Sequence, residues 1–411
     1  MTDTPRVRTV VAMDDLSPAV LGRRVAELRR RAGVTQEGLA LRLHRSASWV
    51  EKMEQGRRPL DNVRTLMEVA AGLGVELRDL REDLDPSRPG YPAIPALRRA
   101  LTASRSRVEP RPVEDLRNAV VTVGDAWQAE PRCYSEVAPL LPALIEEAHA
   151  AVDAATGERR RAAMSVLALA CQVGQEVAAR LGEPDLAWIS ARRAADAAAE
   201  VEDATLVAVG AWRMAHAALR IGQLDETRDL AVDAATALTP VLRDHPGPAE
   251  LSAYGALRLV GAVAAARSGD DADAAALLAE ARATAERLGT DTNTAWQTFG
   301  PANTAVHETA VALELGDRTG ALEAARRVEV RALLTRERRA THHLQTAHAL
   351  ARTRRDDEAL QHVLAAERLN PEGLPHDTLA RELVAGLVRR DRRRSLGGLR
   401  DVARRLRILD P

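Results

Sequence analysis

The sequence predicts an all-α protein in two parts, a bundle of five short helices followed by a long array of helical hairpins. Three observations carry this reading. Aromatic residues make up only 2% of the chain, while alanine, leucine, arginine and glutamate abound; strands favour aromatic and β-branched side chains, and this composition favours helices. Apolar residues recur at helical spacing through most of the chain. A loop motif also returns along the second part, as GEPDLA at 182, GQLDET at 222, GDDADA at 269, GDRTGA at 316 and RRDDEA at 354, at intervals of 40, 47, 47 and 38 residues.

Composition narrows the function. With 411 residues, 46% of them hydrophobic, the chain can bury two or three cores. Its 58 basic and 59 acidic residues nearly cancel, so any nucleic-acid signal must be local. Cys133 and Cys171 have neither metal-ligand nor redox spacing, which suits a reduced cytoplasm. Residues 1–20 read as a flexible N-terminus, with acids where an export signal would be apolar. The most apolar window, AAMSVLALACQVGQEVAA, is interrupted by Gln172, Gln175 and Glu176. It reads as a buried helix, so no membrane partner is expected.

The first domain is expected over residues 21–84. Leu21, Val25 and Leu28 form one helical stripe, Leu39 and Leu43 a second, and Val50 and Met53 a third. Leu66, Ala70 and Leu73 form a fourth, and Leu77 and Leu80 mark a short fifth element. Thr35, Ser46 and Asp61 can accept bonds from orphan N–H groups at helix starts. Gly33 and Gly56 are placed to end the first and third helices.

This segment closely resembles the Xre-type helix-turn-helix of lambdoid phage repressors, through Arg29, Gln36, Leu39, Ala40, Val50, Glu54 and Gly56. The resemblance implies binding to double-stranded DNA, with Ser46 to Gln55 as the recognition helix. Ala47, Ser48, Glu51 and Lys52 would then face outward. Lys52, the chain's only lysine, would reach a guanine edge or a phosphate, and Ala47 and Ser48 would offer a methyl and a hydroxyl. Trp49 would either donate its indole N–H to a phosphate or lean onto the bundle. Gln36, Arg57 and Arg58 are expected on the DNA backbone. Arg29 and Glu54 are expected to pair with each other, as a structural tie. The segment from Leu21 to Asp83 has a net charge of only +3, so non-specific affinity should be weak and a homodimer is expected.

Residues 85–112, with four prolines in DPSRPGYPAIP, are expected to be a stiff linker. Residues 113–411 are expected to be helical throughout. In the clearest repeat, Ala347, Ala359, Ala366 and Pro371 fall at separations of 12, 7 and 5, and Ala262, Ala274 and Ala281 repeat the first two. Ala215 and Ala234 match in part. Small residues at those separations let paired helices approach closely, so the second part resembles a tetratricopeptide α-solenoid.

A solenoid lines a concave groove with the first helix of each hairpin. Repeat phase places Gln172, Glu176, Arg180, Trp212, His216, Arg220, Arg267, Asn303, His348 and Arg352 there. Arg180, Arg220, Arg267 and Arg352 share one position, with Glu314 in the fourth unit. They either offset helix dipoles or form a cationic ladder for a carboxylate or peptide. In AWQTFGPANTAVHETA, Trp296 and Phe299 read as core. Asn303 either binds a peptide backbone or caps its own helix, and His307 lies one turn on.

His342, His343, His348 and His362 complete no metal spacing, and no catalytic constellation, phosphate loop or cofactor motif appears. The stretch from Arg389 to Arg407 has nine arginines against two aspartates and reads either as a solvated face or as added DNA or partner contacts. The whole arrangement is similar to the peptide-sensing RRNPP regulators. The similarity implies a dimeric cytoplasmic transcription regulator of quorum-sensing type, whose helical repeats dimerise and respond to a signalling peptide or small-molecule effector; an enzyme is not expected, since no catalytic constellation appears. The competing expectation is a protein–protein adaptor whose head localises it to DNA.

Overall fold

Val25, Leu39, Val50 and Met53 are fully buried together, and with Leu21, Leu28, Leu43, Ala70 and Leu73 they make one small core. The computed structural model describes residues 18–43, 45–58, 63–73, 93–103, 108–243, 245–391 and 395–409. The chain divides into two compact units, Met1–Pro89 and Gly90–Pro411.

In the first unit, α1 (Pro18–Arg31), α2 (Gln36–Arg42), α3 (Ala47–Glu54) and α4 (Val63–Leu73) follow the expected stripes. Thr35 Oγ1 accepts the Gly38 N–H at 3.0 Å and Ser46 Oγ accepts the Trp49 N–H at 3.1 Å, so both expected caps form. Gly33 and Gly56 are left-handed, at φ 66° and 70°, as the helix ends require. Asp61, the side chain of Leu66 and the fifth element at 77–80 lie outside the described residues.

The second unit begins earlier than expected. Ala93–Thr102 is a helix, α5, inside the stretch read as a linker over 85–112. Pro95 sits in its first turn, where the missing N–H would have had no partner. Ala93, Leu97, Ala100 and Leu101 then bury one face. Prolines near a helix start resemble a spacer in sequence but do not prevent a helix.

Next come α6 (Val113–Ala129), a short π and 3-10 passage over residues 133–140, and α7 (Leu141–Ala154). Five antiparallel hairpins follow. They are α8 (Gly157–Arg180) with α9 (Pro184–Ala199), α10 (Ala204–Arg220) with α11 (Leu224–Arg243), and α12 (Pro248–Ser268) with α13 (Asp271–Leu288). Then α14 (Pro301–Glu314) pairs with α15 (Arg318–Arg327), and α16 (Arg336–Arg352) with α17 (Asp356–Leu369). Helices α18 (Thr378–Arg390) and α19 (Leu399–Arg405) close the chain. The recurring loop motif marks the bend of each hairpin. Gly182, Gly222, Gly269 and Gly316 all have φ between 76° and 81°, and Arg354 takes the same left-handed turn at 63°. The predicted alanines at 215, 262, 274, 281, 347, 359 and 366 are each fully buried, whereas Ala234 is only half-buried, beside buried Ala231 and Ala235. The apolar helix α8 is itself buried inside this unit.

Two features differ from the expectation of an open, wholly helical array. First, β1 (Thr292–Thr294) and β2 (Gln297–Phe299) form an antiparallel hairpin between α13 and α14. Its two-residue turn, Ala295–Trp296, has φ values of 50° and 57°, a conformation usually given to Asn-Gly. Burial holds it there: the Trp296 indole lies on Gly124 and donates Nε1–H to Asp125 at 2.8 Å. Gln128 Nε2 donates to the Trp296 carbonyl at 3.2 Å. Phe299 is fully buried and its ring covers Gly255, which has no side chain to obstruct it.

Second, the array closes on itself. The backbone N–H groups of Tyr134 and Ser135 donate to Glu372 at 3.0 and 3.1 Å, across more than 230 residues of chain. Arg180 also pairs with Glu337, and α6 packs against α16.

Candidate functional site

In α3, the inward side chains Val50, Met53 and Glu54 are buried, which leaves Ala47, Ser48, Glu51 and Lys52 exposed along one face. Lys52 makes no side-chain hydrogen bond or ion pair among the described residues. Glu51 accepts from Gln55 Nε2 at 3.1 Å. Trp49 is half-buried against the bundle core, and the guanidiniums of Arg45 and Arg58 lie 5.7 and 5.6 Å from its ring centre. Trp49 therefore leans onto the bundle, and its ring also gathers two cations at the edge of the exposed face. Arg57 is exposed beside them. Arg45 did not stand out in the sequence, although a basic residue directly before the Ser46 cap is the signal that marks it.

Beneath this face, Arg29 and Glu54 form the expected tie. Arg29 Nε and Nη2 donate to the two Glu54 oxygens at 2.6 and 3.0 Å, and Nη1 donates to the Val34 carbonyl at 2.9 Å. The hydrogen bond to Glu54 raises the pKa of Arg29. Gln36 differs from expectation, because its Nε2 donates to Glu54 at 2.7 Å. One amide proton is thus committed inside the domain, and the side chain supports the α3 end. Ser46 likewise has its hydroxyl occupied as a cap.

The residues expected along the concave face of the second unit divide into two groups. The first fills the closed interior. Gln172 is fully buried. Arg213, unforeseen in the sequence, is buried and holds Glu176 at 3.1 Å and Gln175 at 3.2 Å. Its guanidinium stacks 4.7 Å from Trp212, whose ring meets His216 edge-on at 4.5 Å. Burial holds the His216 pKa well below its ordinary value, and burial with Arg338 nearby pushes His307 down to about 3. Asn303 is buried, donating Nδ2–H to the Thr298 carbonyl at 2.7 Å, so it joins β2 to α14 and does not face an open groove. Asp291 caps that helix, accepting from the N–H groups of Ala302 and Asn303 at 2.8 and 3.0 Å. The cavity beside Arg180 and Glu337 is only about 20 Å³, room for one water.

The second group is the arginine series, of which Arg220, Arg267 and Arg352 reach the surface while Arg180 is half-buried. The expected arginine series is largely neutralised: Arg180 pairs with Glu337, and Arg267 meets Glu314 of the fourth unit at 2.8 Å. Two members lack a carboxylate partner among the described residues. Arg220 is exposed in accessible area, yet its guanidinium is so far desolvated that its pKa falls to about 10. Arg352 donates to His348 Nε2 at 3.0 Å and to the Leu313 carbonyl at 3.2 Å. Arg352 and His348 line a cleft of about 420 Å³ with further arginines that the sequence reading did not connect.

A small bundle of capped helices, presenting one helix with an exposed polar face, defines a helix-turn-helix domain, the fold with which many regulators enter the major groove. The Helix-turn-helix domain family model matches residues 20–84, the segment that contains these helices. None of the curated proteins matches the chain. Among solved structures, the chain is similar to PlcR of Bacillus thuringiensis, crystallised with the peptide PapR7 and DNA. The identity is 13% over 66% of this chain and 96% of that one, with a TM-score of 0.28, too slight a likeness to define the fold.

Proposed function

We propose that this protein is a sequence-specific DNA-binding transcription regulator of the cytoplasm. It acts as a homodimer, and its helical-repeat unit adjusts DNA binding to an effector, either a signalling peptide or a small molecule. The observation that supports this best is the outer face of α3, where Ala47, Ser48 and Lys52 are exposed and make no side-chain hydrogen bond or ion pair among the described residues. Lys52 reads a base edge in the major groove. Arg45, Arg57 and Arg58, around Trp49, hold the phosphates on either side of it and set the register. The Arg29–Glu54–Gln36 cluster keeps α3 at a fixed angle to α1 and α2. The domain's small net charge limits non-specific attraction, so two heads on one operator supply the affinity that one lacks.

Selection of bound duplexes from a random pool, followed by gel shift with the selected site, tests the reading. A defined site bound by the parent and at least about tenfold more weakly by Lys52→Ala is the expected result. Equal affinity for selected and scrambled duplexes would remove the regulator reading. The effector arm is tested on the same site, by the shift in operator affinity when a host extract is added. A coupling of about 1–3 kcal/mol is the usual size of such an effect.

A further inference from the structure

A strongly cationic cleft lies at the junction of α15, α16 and α18. Five arginines line it: Arg318, Arg352, Arg354, Arg389 and Arg390. Arg390 is neutralised by Asp356, with bonds of 2.9 and 2.6 Å, and Glu382 adds one further carboxylate. With Arg389 and Glu382 opposite in sign, the net charge of +3 lies on Arg318, Arg352 and Arg354. Among the described residues, the side-chain bonds of Arg318 and Arg352 go only to neutral acceptors, the Arg352 carbonyl for the first and His348 and the Leu313 carbonyl for the second. Arg354 makes no side-chain ion pair among the described residues, and it stands at the hairpin bend with a left-handed backbone, at φ 63°. His348 accepts the Arg352 Nε–H, and burial beside that arginine pushes its pKa down to about 4, so it adds no charge at neutral pH.

The floor is different in kind. Ala351, Leu379, Leu383 and Gly386 supply an apolar strip below the guanidiniums. Gly386 lies inside helix α18, where glycine is disfavoured relative to alanine. A Cβ placed there would meet Arg390 Nη1 at 3.5 Å and Arg389 Nη2 at 3.9 Å, ordinary contacts, so nothing in the fold forbids a side chain. A larger one would occupy the cleft.

From these observations we infer that this cleft binds a small organic diphosphate, with its anionic end among Arg318, Arg352 and Arg354 and its apolar end on Leu379, Leu383 and Gly386. Charge selects the class. One carboxylate would leave most of the +3 uncompensated, and a phosphate monoester carries about −1.5 to −2. A diphosphate comes closest to matching it, and guanidiniums suit phosphate oxygens through paired N–H donors. The volume, about 420 Å³, falls in the range of small-molecule sites. The inference deepens the proposed function by assigning the effector site to this cleft and not to the filled interior.

The test is calorimetric titration of the full-length protein, without DNA, using sodium pyrophosphate and ADP at constant ionic strength. Saturable binding at one site per chain is expected. Arg318→Gln and Arg354→Gln should each weaken it by about tenfold, as loss of a charge-assisted contact does. Gly386→Phe should abolish it while thermal melting stays unchanged. No saturable heat with either probe overturns the site. So does equal binding of sulfate at matched ionic strength, or variants that bind like the parent. Gel shift then separates the two claims. Saturating pyrophosphate that changes operator affinity supports the assignment, whereas a saturable site with no effect on DNA leaves the cleft standing and removes its effector role.

Discussion

Glu54→Ala is the most informative perturbation of the DNA-binding unit. In the parent, the Glu54 carboxylate accepts two bonds from Arg29 and one from Gln36, and the two charged side chains are only 6% and 12% exposed. Alanine removes all three acceptors at once. Arg29 keeps its bond to Val34 but becomes a nearly buried cation without a counter-ion. Breaking a buried pair from one side costs roughly 3–5 kcal/mol, and the remaining Val34 bond and slight exposure place this case near the lower bound. A unit of about 65 residues has a total stability of roughly 3–9 kcal/mol, so the loss takes a third or more of it. Glu54→Gln keeps the shape and part of the hydrogen bonding and should cost about half as much. Hydrogen exchange of the full-length protein reads the effect locally. Amides of α1 to α3 should exchange on the order of 100-fold faster in Glu54→Ala, with those of α8 to α17 unchanged. Lys52→Ala serves as the control, since its side chain is exposed and carries nothing structural. If Glu54→Ala exchanges like Lys52→Ala yet loses operator binding, Glu54 and Arg29 act at the DNA and the structural reasoning is wrong.

Other outcomes follow from the same geometry. Lys52→Ala should lower affinity for the selected operator by about 1–3 kcal/mol with unchanged melting, whereas Arg57→Ala should weaken all duplexes evenly and reduce the salt slope by about one; gel shifts across a salt series distinguish them. Phe299→Ala, in a fully buried site over Gly255, should cost about 3–5 kcal/mol in urea unfolding of the second unit, and a cost below about 1 kcal/mol would show that the hairpin is not part of its core. The second unit should also lose stability in mild acid. His343 Nδ1 lies 3.0 Å from His362 Nδ1, with His342, Glu358 and Arg368 close by, and burial pushes His342 and His343 down to about 4. Folded-state values below the ordinary 6.5 mean that the unfolded chain binds more protons, so stability is complete above about pH 6.5 and falls between there and pH 4. The nearly buried His342 alone accounts for at most about 3 kcal/mol. His342→Gln and His362→Gln should flatten the profile measured by melting at stepped pH, and an unchanged profile in both refutes the assignment.

Much of this molecule is decided by neighbours a few residues apart, and that part was legible in the chain itself. The Thr35 and Ser46 caps, the left-handed Gly33 and Gly56, and the stripes through Val25, Leu39 and Val50 each depend on spacings of three or four residues. The hairpin bends at Gly182, Gly222, Gly269, Gly316 and Arg354 were visible for the same reason, as were the small residues at 262, 274, 281, 347, 359 and 366. Even the Arg29–Glu54 tie could be foreseen, because both residues belong to the set through which the segment resembles the Xre-type helix-turn-helix.

The remainder depended on how the repeats accumulate in space. Strands of three residues with an Ala-Trp turn show no alternation and no turn residue, so the hairpin at 292–299 was hidden. Its conformation is imposed by Gly124, Asp125 and Gln128, far away in the chain. The Pro95 helix was masked because a proline in a first turn and a proline in a spacer look alike. Repeat phase placed Arg180, Arg220, Arg267 and Arg352 on one line, but their fates diverge: Glu337 and Glu314 take two of them, and His348 holds a third. Nor could phase foresee that Glu372 would reach Tyr134 and Ser135 and close the array, or that residues 318, 352, 354 and 390 would line one cleft. A helix is stabilised by bonds within its own few turns, whereas ring closure and charge pairing depend on the small rotation between successive hairpins. That rotation is set by the contacts of every repeat together, so only the tertiary structure could decide which charges meet and which remain open to a ligand.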